Sequence, residues 1–174
     1  LAPFTYGGDG TTGARIREAQ HKAVELIPGS GIASINDLAY PYEYDEIHPR
    51  RKKEVGERLS YLALNRTYGM DYLPCEGPRF KSYEVRGGEI EVAFYNGESG
   101  FSPWHDIVGF EIAGEDKVFH PAEIRRGTQL NTVIVKSDKV PAPVAVRYCF
   151  RDFQVGNFTG RRCLPVIPFR TDNW

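Results

Sequence analysis

Asp45 stands three residues before His48 in the segment Tyr44-Asp45-Glu46-Ile47-His48-Pro49. A neutral imidazole can take a proton from a nearby hydroxyl. A carboxylate on its other ring nitrogen fixes the tautomer and stabilises the imidazolium that forms. Asp45 can reach His48 across one tight turn, so local geometry permits the pair. Glu46 is the neighbouring alternative, although adjacent residues in an extended loop tend to point apart. The plainer reading is helix capping, with Asp45 or His48 accepting from helix N–H groups. On spacing alone capping is the more economical of the two, because so short a motif often arises by chance.

A base of this kind needs a nucleophile. Gly8-Asp9-Gly10 carries no hydroxyl at its third position. Gly97-Glu98-Ser99-Gly100 has a serine, but it follows an alternating strand rather than opening a helix, so it lacks the context of a nucleophile elbow. Ser99 reads as a turn residue. Neither segment offers a serine in a nucleophile setting.

The elements that would position His48 are legible from periodicity. Thr12 to Ile27 places Ile16, Ala19, Gln20, Ala23, Val24 and Ile27 at near-helical spacing, and Pro28-Gly29 closes the run. Gly31 to Ile35 reads as a short strand. Pro49 suits the first position of a second helix, which places His48 at or just before its cap. Val55, Leu59, Leu62 and Ala63 form that helix's apolar stripe, and Gly69 suits its end. Arg50, Arg51, Lys52 and Lys53 would then crowd the positive end of the helix dipole. Either they are solvated there or they face acidic groups, on another protein surface or an anionic ligand.

After Pro74 the period changes to two. Phe80, Tyr83 and Val85 lead into Gly87-Gly88, a hairpin signal, and Ile90, Val92 and Phe94 alternate beyond it. Val108–Ala113, Thr132–Lys136 and Val144–Phe150 are further strand-like runs. The expected fold class is therefore α/β plus β, with an α/β portion over residues 1–72 and an antiparallel β-sandwich over 73–174.

Composition narrows the function classes. The chain has 174 residues, 41% hydrophobic and 26% charged, as a folded domain has. A formal net charge of −1 gives no field that argues for nucleic acid or an anionic membrane, and no apolar run is long enough to span a bilayer. Leu1 is not an initiator Met and follows no secretory-type segment, so an earlier portion is expected to have been removed. Cys75, Cys149 and Cys163 have no metal-ligand spacing. Buried free thiols are the first expectation, and a Cys149–Cys163 bridge is the alternative suited to an exported protein. His21, His105 and His120 also lack metal spacing.

Six stretches occur in a telling order: LAPFTYGGDG, IREAQHKAVELIPGSGIASINDL, DEIHPRRKKEVGERLSYLAL, GFEIAGEDKVFHPAEI, PVAVRY and LPVIPFRTD. Together they resemble the C-terminal portion of the sialate O-acetylesterase family, which are SGNH-type serine esterases. The resemblance implies the C-terminal part of an SGNH-type α/β/α hydrolase domain followed by the sandwich. It implies removal of O-acetyl groups from sugars by a Ser-His-Asp mechanism, with no metal or cofactor. His48 matches the family's general base, and Asp45 the position of its carboxylate partner. In many members the segment reads Asn-Asp-Ile-His, which shifts the acid toward Glu46, so Asp45 is the first choice and Glu46 the second.

Other expectations follow from the resemblance. The catalytic serine lies upstream in the family, so the partners implied are an O-acetylated sugar and an N-terminal part of the same protein carrying that serine. An oligomer is the other arrangement that would hide the helix faces. Family habit places such enzymes outside the cytoplasm. Arg147 and Arg170 match family segments and read as buried ion-pair or interdomain residues. The rival reading is a non-catalytic carbohydrate-binding or structural sandwich, with Tyr95, Phe101, Trp104 and His105 offering aromatic faces to a sugar.

Overall fold

The computed structural model describes residues 1–174. Two helices lead the chain, α1 over Thr12–Leu26 and α2 over Lys52–Arg66, with a single 3-10 turn at Pro41–Glu43 between them. Ten strands follow: β1 (Arg79–Arg86), β2 (Glu89–Tyr95), β3 (Phe101–Ser102), β4 (Phe110–Ala113), β5 (His120–Pro121), β6 (Glu123–Arg126), β7 (Thr132–Lys136), β8 (Ala145–Tyr148), β9 (Thr159–Gly160) and β10 (Phe169–Arg170). They form one sheet of order β1-β2-β7-β6, a second of order β10-β8-β4-β5, and a two-stranded ribbon β3-β9. Every pairing is antiparallel.

The alternation seen in the sequence builds the core. Ile90, Val92 and Phe94 of β2 meet Val133 and Val135 of β7 on one inner face, and Phe110, Ile112, Val146 and Tyr148 supply the other. Phe101, Phe158 and Phe169 complete it, with Phe101 stacked on Phe158 at 4.9 Å and Phe94 edge-on to Phe169 at 5.7 Å. Such pairs contribute beyond the area they bury. The Gly87-Gly88 hairpin forms as expected, with Arg86 opposite Glu89. Within β2 alternation fails once, at Glu91. This outward residue is buried because the loop after β6 folds over it: its carboxylate accepts from Thr128 N (2.6 Å), Thr128 Oγ1 (2.7 Å) and Thr132 Oγ1 (2.7 Å).

The helical part departs from expectation at four points. Gly31–Ile35 is irregular rather than a strand, because no other segment of the chain runs alongside to complete a ladder. Helix α2 begins at Lys52, so Pro49 is not its first residue and His48 is not its cap. The expected stripe Val55-Leu59-Leu62-Ala63 buries only Leu62. Helix α1 likewise turns a different face inward, burying Gly13, Ala14 and Arg17 while Ile16, Ala19, Gln20 and Ile27 stay exposed. The 72/73 boundary falls in the irregular stretch between α2 and β1.

The two parts are joined by polar anchors. Asp152 Oδ1 accepts from the N–H of Gly13 in the first turn of α1 at 2.6 Å. Arg17 donates to the carbonyls of Ala2, Arg151 and Asp152. Arg170 forks onto Glu18 of α1 at 3.2 and 3.0 Å, and Arg147 forks onto Asp172 at 2.8 and 2.8 Å. Both arginines are thus ion-paired, Arg170 across the two parts, as the sequence suggested. All three cysteines are free thiols; only Cys149 is buried, and no Cys149–Cys163 bridge forms.

Candidate active site

The loop carrying His48 is organised by a carboxylate the sequence reading passed over. Glu43 is 1% exposed, and its Oε2 accepts from Tyr40 N at 2.8 Å while its Oε1 accepts from Arg50 N at 3.1 Å. One side chain therefore ties together the two ends of the segment that displays residues 44–49. A signal for it existed: Tyr40-Pro41-Tyr42-Glu43 has proline at the first position of a helical turn and an acid at the third. The proline rule that misplaced α2 at Pro49 holds at Pro41 instead. Tyr44 O accepts from Thr5 N at 2.9 Å and Thr5 Oγ1 at 2.8 Å, which pins the loop to the N-terminal segment.

Within this frame Pro49 is buried and His48 faces out. The His48 N–H donates to Glu46 Oε1 at 2.9 Å. The imidazole makes no hydrogen bond to the protein, and Asp45 is exposed with its carboxylate unpartnered. The structure therefore displays Asp45, Glu46 and His48 together on one bend but does not join a carboxylate to the imidazole. The capping contact that does form involves Glu46 and the backbone of His48 rather than α2.

Three of the four basic residues beside His48 find counter-charges within the chain. Arg51 Nε donates to Glu54 at 2.8 Å, Arg50 lies 3.8 Å from Glu43, and Lys53 lies 3.7 Å from Glu57. Arg58 forks onto Asp37 at 2.6 and 2.6 Å and fixes the segment before the loop to α2. Asn36, next to it, is buried; its Oδ1 accepts from Ser34 Oγ at 2.6 Å, while its Nδ2 has no partner. Glu43 thus holds the His48 loop from within, and Asp37 ties the segment before it to α2.

The aromatic residues of the sandwich do not form one platform. Phe101 is core. Trp104 packs edge-on against Phe101 and Phe158 and carries the Arg126 guanidinium over its ring at 5.1 Å. Tyr95 is covered by Arg79 at 4.5 Å and Lys81 at 5.3 Å. No group of three His, Cys, Asp or Glu side chains is placed to hold a metal ion, and no helix is long and apolar enough to cross a membrane. Ser99 lines a groove with Asn65 and Arg161, and His48 is not part of that lining.

Buried groups elsewhere are chemically quiet. Burial pushes the Cys149 thiol up to about 12. A thiol held there is no nucleophile at neutral pH.

No family model and no curated relative matches the chain. Among solved structures, a carbohydrate acetylesterase from Xanthomonas citri superposes with a TM-score of 0.87 at 40% sequence identity, over 100% of this chain and 40% of that one. This chain resembles a portion of a carbohydrate acetylesterase. It spans less than half the length of that structure, and the two helices and the antiparallel sheets all fall within the matched portion.

Proposed function

We propose that this chain supplies the general base of a serine esterase that removes O-acetyl groups from carbohydrates. The observation that carries the reading is the 40% identical match of the whole chain to part of a carbohydrate acetylesterase. The outward-facing imidazole of His48 on a braced loop is the feature of the chain that suits the task.

The serine comes from polypeptide outside these residues and attacks the acetyl carbonyl while His48 takes its proton. His48 then protonates the departing sugar hydroxyl. Water releases acetate by the same route in reverse. Asp45 orients the imidazole after the two exposed side chains turn toward each other, with Glu46 already engaged by the His48 backbone. The stretches that resemble sialate O-acetylesterases support an acetylated sialate or another acetylated glycan as the substrate, met outside the cytoplasm.

The test is turnover of an aryl acetate and acetate release from an acetylated glycan, by a polypeptide uniting this chain with the serine-bearing part. His48→Ala lowers kcat on the order of 10⁴-fold. Asp45→Asn lowers it by a similar order if Asp45 orients the base, while Glu46→Gln leaves it within about tenfold. Full turnover by His48→Ala, or serine-dependent turnover by the 174-residue chain alone, overturns the reading.

A further inference from the structure

We propose that the pocket between the Ser99–Trp104 segment and the Arg126–Thr132 loop binds a carboxylate-bearing saccharide through the guanidinium groups of Arg126 and Arg161. The site lies on the sandwich and stands apart from the esterase reading.

Charge is the first observation. Every arginine guanidinium of the chain pairs with a carboxylate or donates to a protein oxygen except those of Arg126, Arg161 and Arg162. Two of these three line this one pocket, and no aspartate or glutamate lines it with them. A planar guanidinium with free N–H groups matches a carboxylate two bonds at a time, and two sharing one acid-free pocket repel each other until an anion enters.

The pocket is also built rather than incidental. Arg126 is held over the Trp104 ring, and Trp104 is wedged against Phe101 and Phe158 at 6.2 and 5.9 Å. Arg161 N donates to Gly100 O at 3.0 Å, which ties the backbone of the second arginine to the Ser99–Trp104 segment. The buried Glu91 carboxylate holds the Thr128 and Thr132 ends of the loop. A Cβ at Gly127 would come within 2.1 Å of Thr132 Oγ1, so the backbone there approaches its own loop as closely as only glycine allows.

Size and lining argue for a sugar rather than a bare ion. The pocket encloses about 380 Å³, within the ~300–1,000 Å³ of small-molecule sites. The Ser99 hydroxyl and the Gln129 amide line it without a protein partner, and the Trp104 indole adds apolar surface, as ring hydroxyls and C–H faces require.

Titration calorimetry of the chain with trigalacturonate, and with the neutral trigalactose of the same length, tests the proposal. The acidic sugar binds saturably with Kd below about 1 mM and the neutral one at least tenfold more weakly. Arg126→Gln and Arg161→Gln each weaken binding about tenfold or more, and Arg126→Lys does not restore it, since an ammonium lacks the planar fork. Arg162→Gln stays within about twofold of the parent. Should a glutamine variant melt early, the parent's loss of affinity with added sodium chloride is the second readout. Equal affinity for the neutral sugar, no binding at about 10 mM, insensitivity to salt, or an equal effect of Arg162→Gln overturns the site. Displacement by acetate or phosphate at matching concentration overturns the saccharide and leaves a simple anion pocket.

Discussion

His21 and His48 are imidazoles of opposite setting. His48 is displayed to solvent, whereas His21 is half-buried on α1 where the chain folds against the sandwich. Burial, reinforced by the positive charges of the Leu1 amine and Arg17, lowers His21 from 6.5 to about 4. In the unfolded chain His21 takes a proton as pH falls through 6.5, while in the folded chain it stays neutral until about 4. Its contribution is therefore present above pH 6.5 and lost progressively between 6.5 and 4, by on the order of 2–3 kcal/mol across the window. Urea unfolding of the parent and His21→Gln at pH 7.5, 6.0 and 5.0 should show the parent losing stability faster on acidification. Parallel losses would mean that His21 is not the group responsible.

At the scale of elements, α1 stands on a carboxylate from the far end of the chain. Thr11 at its N-cap makes no side-chain cap, and Asp152 provides one instead by accepting from Gly13 N. The Tyr6 ring covers the same turn so closely that a Cβ on Gly13 would come within 2.5 Å of it. Asp152→Ala should cost about 1–2 kcal/mol, which lowers the melting temperature by roughly 2–8 °C for a chain of this size. An unchanged melting temperature would show that α1 is held by packing alone. No sequence rule could reveal this cap, because 139 residues separate the partners. What was legible was local: the Gly87-Gly88 turn, the alternation of β2, the β7 bounds and the extent of α1 all rest on neighbours in sequence. What was lost was non-local. Gly31–Ile35 has strand composition but no strand beside it, and the α1 stripe is helical in spacing but has nothing to cover. At the candidate site the Asp45–His48 spacing was legible, while Glu43, which braces their loop, was signalled only by the Pro41-Tyr42-Glu43 turn, because its partners are backbone N–H groups.

For the whole molecule, burial is unequal. The sandwich encloses a continuous aromatic and β-branched core, while the helical part leaves Leu26 81%, Ile27 57% and Leu59 52% exposed, with Ile16 and Ile47 also open. Tyr40, Tyr42 and Tyr44 crowd the His48 loop, two of them stacked at 5.3 Å, and all three are exposed. Apolar residues concentrated on one end of a chain mark a surface that is covered in use. The matched esterase is longer than this chain by more than half of its own length, and polypeptide of that kind is what we expect to cover it. The isolated chain should then self-associate. Sedimentation velocity from about 5 to 200 µM should show weight-average mass rising with concentration, as hydrophobic association requires. Ile27→Lys combined with Leu59→Lys should shift that curve toward the 19.7 kDa monomer without lowering the melting temperature, since neither side chain is buried. Mixing with the serine-bearing part should replace self-association by a defined complex. A parent that stays monomeric throughout would show that these helices tolerate water on their apolar faces, and the face would lose its standing as a docking surface.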